Sequence, residues 1–146
     1  MRHHSQDLRR GRHSEPGRIY HITTVTHERN PAFLPLASAR VVVRVLAELH
    51  ARSRAETLAY VLMPDHLHWL MRLGERADLS STVAAMKSLS ARRLGRGRLW
   101  QPAFHDHAIR RDEDIRAAAR YIVANPLRAG LVEDIGQYPH WDAVWL

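Results

Sequence analysis

Met63-Pro64-Asp65-His66-Leu67-His68-Trp69-Leu70 is the stretch on which the reading of this chain turns. Pro64 and Asp65 mark a turn. After them comes an apolar run holding two histidines two positions apart. The run reads as a strand, and in a strand residues i and i+2 point to the same face. His66 and His68 therefore project together, while Leu67, Trp69 and Met71 share the opposite face. Two imidazoles fixed on a rigid strand make half of a metal site. The pair alone favours the plainer reading, two solvent-facing or internally satisfied histidines, and what shifts the balance lies near the C-terminus. If the histidines face outward, the apolar set meets the core; a slip of one residue would reverse both sets.

Working outward, Thr57 to Met63 reads as a second strand, and the short Met63–Asp65 turn predicts that the histidine strand returns antiparallel beside it. Gly74 ends the histidine strand. Upstream, Leu36 to Arg54 carries Val42, Val45, Leu46 and Leu49 at helical spacing, with Arg40, Arg44, Glu48 and Arg52 opposite. That pattern is an amphipathic helix lying on a sheet. Ile19 to His27, rich in β-branched residues, reads as the first strand. Residues 1–18 are polar and basic without periodicity and close on Pro16-Gly17. They read as an arm, either ordered on a partner or a plain tail. The remainder, 19–146, reads as one domain ending in a tail from 127.

Downstream, Ser80 is the expected N-cap of a helix running to about Leu94, with Val83, Met86 and Leu89 as its buried stripe. It ends in Arg92-Arg93-Leu94-Gly95-Arg96-Gly97-Arg98. Glycines permit close approach of a ligand to the backbone, and the arginines offer phosphate donors; the alternative is a helix C-terminus decorated with cations that suit its dipole. Leu99 to Arg110 reads as an irregular strand whose His105 and His107 repeat the two-residue spacing. Asp112 is the expected cap of a helix from Glu113 to Asn125, with Ile115, Ala118, Ala119 and Ile122 toward the core. Pro126 should end that helix.

The length of 146 residues suits one domain with one core. No run of about twenty apolar residues is present, so no membrane span is expected, and the polar N-terminus lacks the apolar segment of a secretory signal. Cysteine is absent, which excludes disulfides and thiolate metal sites and fits a reducing cytoplasm. The net charge of +7 favours a polyanionic partner, most simply nucleic acid. Lys87 is the only lysine among the 22 basic residues. A GC-rich genome would also produce such an arginine excess, but the planar guanidinium has its own advantage in binding phosphate bidentately.

On the last helix Tyr121 and Asn125 are four residues apart and share a face. Asparagine offers an amide oxygen as a ligand and tyrosine a hydroxyl as a nucleophile. Taken alone, Tyr121 reads as a half-buried helical tyrosine. Packed over the histidine strand, the same face would complete a site of two imidazoles, one amide oxygen and one phenol.

His66-Leu67-His68 within Met-Pro-Asp-His-Leu-His resembles the His-hydrophobic-His motif of the IS200/IS605-type single-tyrosine (HUH) transposases. Tyr121-Ile-Val-Ala-Asn125-Pro-Leu-Arg-Ala-Gly-Leu-Val132 resembles their tyrosine helix, most closely that of the REP-associated tyrosine transposases. The opening Pro-Gly-Arg-Ile-Tyr-His-Ile-Thr-Thr-Val-Thr and the Leu99–Arg110 stretch are similar as well. The likeness spans about residues 16–142. Asp65 departs from it, since the family commonly has asparagine there.

The resemblance implies an α+β fold, a ferredoxin-like or RRM-like antiparallel sheet with helices on one face. It implies that Tyr121 attacks a phosphodiester of single-stranded, hairpin-bearing, REP-like DNA, leaving a 5′-phosphotyrosine and a free 3′-hydroxyl. It implies that His66, His68 and Asn125 hold a divalent metal. Imidazole and amide-oxygen ligation suits Mg²⁺ or Mn²⁺ better than a closed tetrahedral zinc site. The implied setting is the bacterial cytoplasm, in association with the nucleoid, as a monomer or homodimer. Candidate phosphate contacts are Arg10, Arg18, Lys87, Arg92, Arg93, Arg96 and Arg98. Two other readings stay open: a domesticated module that grips hairpin DNA without cutting it, and an unrelated metallohydrolase using His66, His68, His105 and His107.

Overall fold

In the computed structural model, which describes residues 14–144, the histidine strand is the middle strand of a five-stranded sheet. The chain runs through β1 (Ile19–Val25), α1 (Leu36–Ala51), β2 (Ala55–Met63), β3 (His66–Leu73), α2 (Leu79–Arg93), β4 (His105–Ile109), α3 (Asp112–Val123), the one-turn α4 (Asn125–Arg128) and β5 (Trp141–Ala143). The sheet order is β4-β1-β3-β2-β5, and every neighbouring pair is antiparallel. For a β-α-β-β-α-β chain, the order 4-1-3-2 is the ferredoxin-like, split βαβ arrangement. The α+β antiparallel fold expected from the sequence is therefore the one observed.

Alternation along β3 makes it a wall between two cores. Leu67, Trp69 and Met71 enter the first, with Tyr20 and Ile22 of β1, Val42, Val45, Leu46 and Leu49 of α1, and Val83 and Met86 of α2. The Trp69 indole N–H donates to Thr57 Oγ1 at 2.9 Å, so its burial leaves no orphan donor. Helices α1 and α2 thus lie on one face, as expected. The expectation of helices on that face alone is corrected by α3, which covers the other. There Leu70 meets Val61 and Met63 of β2, Ile109 of β4, and Ile115, Ala119 and Ile122 of α3. The physical reason stands in β2: Ala59 to Met63 is apolar at every position, and such a run belongs to a strand covered on both sides.

Several boundaries shift. The N-cap of α2 is Asp78, not Ser80, because its carboxylate accepts from the Ser81 backbone N–H at 2.9 Å and the Ser81 hydroxyl at 3.0 Å. Helix α3 begins at Asp112 itself, with N-cap Arg111 making no side-chain cap. Asp112, Glu113 and Asp114 fill its first turn, where negative charge meets the positive end of the dipole. It stops at Val123, and the chain turns at Ala124 into α4, whose first turn takes Pro126 because no amide donor is needed there.

The residues read as a tail also fold. β5 pairs with β2 through Ala59↔Ala143, Tyr60↔Asp142 and Val61↔Trp141, and the Tyr138 hydroxyl donates to Leu62 O at 2.5 Å. The last residues of the arm are anchored: Gly17 N–H donates to Leu73 O at 2.7 Å and the Ser14 hydroxyl to Asp78 Oδ1 at 3.1 Å. The rest of the arm, with Arg10, and Trp145 of the tail lie outside the described residues.

Candidate active site

The Pro64-Asp65 turn brings His66 opposite Met63 of β2 and opposite Val25 of β1. The imidazoles of His66 and His68 project from one face with ring centroids 5.1 Å apart and planes nearly perpendicular. Each has its Nδ1 engaged. His66 Nδ1 donates to Asp65 Oδ1 at 2.8 Å. His68 Nδ1 lies 3.0 Å from His21 Nε2 and 3.2 Å from Thr23 Oγ1. That leaves Nε2 of both rings as the nitrogen free to ligate. A ring whose second nitrogen is tied to a carboxylate or other polar partner is the usual state of a metal-binding histidine.

Burial pushes the His68 pKa down to about 3, helped by the charges of His21, His66 and Arg128. Burial likewise lowers His21, with His107 adding to it. A neutral imidazole is the ligating form, so the chemistry of this half-site fits a divalent ion. Burial alone would raise the Asp65 pKa, but the hydrogen bonds and charges of His66 and Arg29 outweigh it and hold the carboxyl below its ordinary range.

Among the described residues, no group of three or more histidine, cysteine or carboxylate side chains gathers around a possible metal position. The four-histidine centre of the metallohydrolase reading is therefore not assembled. His105 and His107 share the histidine face but stand exposed on β4, with β1 between them and β3. Two strand spacings amount to about 9–10 Å.

The third expected ligand, Asn125, is the half-buried first residue of α4, and Tyr121 stands 56% exposed on α3. Both belong to the layer that covers the histidine face. Among the described residues no hydrogen bond joins either to an imidazole. The link is Arg128, whose guanidinium lies over the Tyr121 ring, 3.8 Å from its centroid, and whose charge acts on His68.

The basic candidates divide. Arg92, Arg96 and Arg98 are exposed around the α2–β4 loop. That loop returns to the histidine end of the sheet, where Gln101 N–H donates to Val25 O at 2.9 Å. Arg18 pairs with Glu15 at 2.6 Å. Arg93 is held by a bidentate bond to Glu48, with Nη2 donating to Oε1 at 2.8 Å. Lys87 turns inward, donating to Gln101 O and Ala103 O, each at 2.8 Å, which engages two of its three donors. Gly95, with φ +66°, closes α2 in a Schellman motif: Arg96 N–H donates to Ala91 O at 2.9 Å and Gly95 N–H to Arg92 O at 3.1 Å. Its conformation serves the helix end.

Sequence reading missed His21, Thr23, Arg29 and Arg128. The first two carried a usable signal, since His21 and Thr23 alternate with buried Ile22 and Thr24 and so share one face of β1.

The fold and this half-site together define a class. A family profile described as "Transposase IS200 like" matches residues 16–125, and the chain belongs to that family of transposases. Within it, the similarities lie with the REP-associated tyrosine transposases. The Escherichia coli (strain K12) REP-associated tyrosine transposase is 35% identical over 85 residues, covering 58% of this chain and 52% of that protein. The match thus spans about half the length of that relative. A Haemophilus influenzae protein, "Putative REP-associated tyrosine transposase", is 28% identical over 141 residues, covering 85% of this chain and 78% of its own. The solved structure of a REP-associated tyrosine transposase bound to a REP hairpin superposes with a TM-score of 0.75 at 25% identity, covering 88% of this chain and 78% of that one.

Proposed function

We propose that this protein cuts and rejoins single-stranded DNA bearing a REP-like hairpin, through a covalent tyrosyl intermediate and with a divalent metal, Mg²⁺ or Mn²⁺. The observation that carries the reading is the pair of imidazoles with Nδ1 engaged and Nε2 free, on the sheet face that the tyrosine-bearing helix covers. The hairpin-bound relative supports the choice of substrate.

In this reading the Tyr121 oxygen attacks the phosphorus and loses its proton. The bond from phosphorus to the 3′-oxygen breaks, and that oxygen leaves as a hydroxyl after taking up a proton. The DNA 5′ end remains on Tyr121 as a phosphotyrosine, which keeps the phosphodiester bond energy and allows rejoining without ATP. His66, His68 and Asn125 would hold the metal, which when bound supplies charge neutralisation at the non-bridging oxygens. Arg128 positions the phenol. Arg96 and Arg98 receive phosphates flanking the cut.

Incubation with hairpin DNA and Mn²⁺, followed by a denaturing gel, tests this. Wild type should form a covalent protein–DNA adduct, and Tyr121→Phe, which keeps the ring over which Arg128 lies, should form none. His66→Ala and His68→Ala should each lose cleavage by more than the roughly 10–100-fold typical when a ligand merely loses its supporting hydrogen-bond partner. Undiminished cleavage by Tyr121→Phe would end the assignment.

A further inference from the structure

We infer that Asp65, held in place by Arg29, is a positioning residue for His66: it fixes the imidazole as the Nδ1–H tautomer and so presents Nε2 to the cation. The inference rests on the metal reading above and adds two residues to it.

The geometry is a three-member chain. His66 Nδ1 reaches Asp65 Oδ1 at 2.8 Å, and Arg29 Nε reaches the other oxygen, Oδ2, at 3.1 Å. An ionised carboxylate only accepts hydrogen bonds. The nitrogen facing it must therefore carry the proton, and the lone pair is left at Nε2. Arg29 closes the second oxygen, so the carboxylate cannot swing away from the ring without breaking a charged contact.

An exposed Arg–Asp pair alone means little, since such pairs contribute almost nothing on average. Here the Arg29 side chain is 62% exposed, but the carboxylate is 26% exposed and the imidazole 17%. The backbone is also built to make the contact. Glu28 and Arg29 both take positive φ, 54° and 53°, the left-handed region that non-glycine residues avoid. The turn that imposes this is tied to the histidine turn itself. Thr26 N–H donates to Asp65 O at 2.9 Å, the Thr26 hydroxyl to Asn30 O at 2.7 Å and Asp65 O at 3.1 Å, and Phe33 N–H to Pro64 O at 3.1 Å. Strained non-glycine backbone persists where its surroundings over-determine it. What this turn fixes is Arg29 against Asp65.

The test starts from metal-free, ¹⁵N-labelled protein at about pH 8.5, above the ordinary imidazole range. Long-range ¹H–¹⁵N correlation then reads which His66 nitrogen carries the proton. Wild type should show Nδ1–H. Asp65→Ala should move His66 toward the Nε2–H form and weaken Mn²⁺ binding, followed by calorimetry, about 10–100-fold. Asp65→Asn, whose amide oxygen still accepts, should keep the Nδ1–H form and recover most of the affinity. Arg29→Met should fall between wild type and Asp65→Ala. A wild-type His66 protonated at Nε2, or an unchanged tautomer in Asp65→Ala, would overturn the inference. Failure of wild type to bind Mn²⁺ would instead overturn the metal reading, while the metal-free comparison still decides the role of Asp65.

Discussion

Tyr121 stands exposed on its helix, and the Arg128 guanidinium lies across its ring. A cation over an exposed aromatic face is worth about 0.5–1 kcal/mol, and about 1.4 kcal/mol corresponds to a tenfold rate. Arg128→Ala should therefore slow adduct formation by about two- to fivefold while leaving the thermal unfolding midpoint nearly unchanged, with Arg128→Lys in between. An unaltered single-turnover rate in Arg128→Ala would remove that role. At this scale the sequence was readable where one strand or one helix set the geometry. The shared face of His66 and His68 follows from the two-residue period, whereas the four-residue spacing of Tyr121 and Asn125 is interrupted by the end of α3 at Val123, which puts Asn125 on α4. Arg29 and Arg128 were not readable, because their contacts depend on a left-handed turn and on the bend at Ala124. Neither leaves a periodic trace.

Among the elements, α2 shows how a residue's type can mislead about its direction. Lys87 reads as a phosphate contact, yet its ammonium binds the two carbonyls that shape the approach to β4. Lys87→Met keeps the apolar stem but orphans both carbonyls, which should destabilise the fold by about 1–3 kcal/mol. Burial lowers the Lys87 pKa to about 8 from its ordinary 10.5. Between those values the unfolded chain binds more protons, so this group's contribution to stability rises with pH from about 8 to 10.5. The gap in unfolding free energy between wild type and Lys87→Met should widen over that window; a gap that stays flat would refute the assignment. Neutralising Arg96 and Arg98 should act on DNA instead, lowering the salt slope of binding by roughly one to two units. Lys87→Met should leave that slope alone. The caps show the same limit of sequence reading. Asp78 and Ser80 both suit an N-cap, and the choice is made by which carboxylate or hydroxyl reaches the Ser81 amide.

For the molecule as a whole, the ferredoxin-like order was within reach of the sequence, because two βαβ-like units separated by a tight hairpin allow few other sheets. The second layer was not. β5 has three residues, too few for a period, and the apolar stripe of α3 does not by itself say which face of the sheet it meets. The sheet that results is asymmetric in a way that bears on motion. β3 is paired on both sides and covered on both faces, whereas the layer of α3 and β5 rests on a smaller core and the outer edge of β2. Amide hydrogen exchange should therefore resolve two cooperative units: β3 amides opening only with global unfolding, and α3 and β5 amides opening together at lower free energy. One common opening free energy for both sets would contradict this. If the two units separate, Tyr121 sits on the piece that breathes and the imidazoles on the piece that does not. In the proposed reaction, a long DNA end joined to Tyr121 would then be carried away from the histidine pair and returned to it without the rest of the protein unfolding.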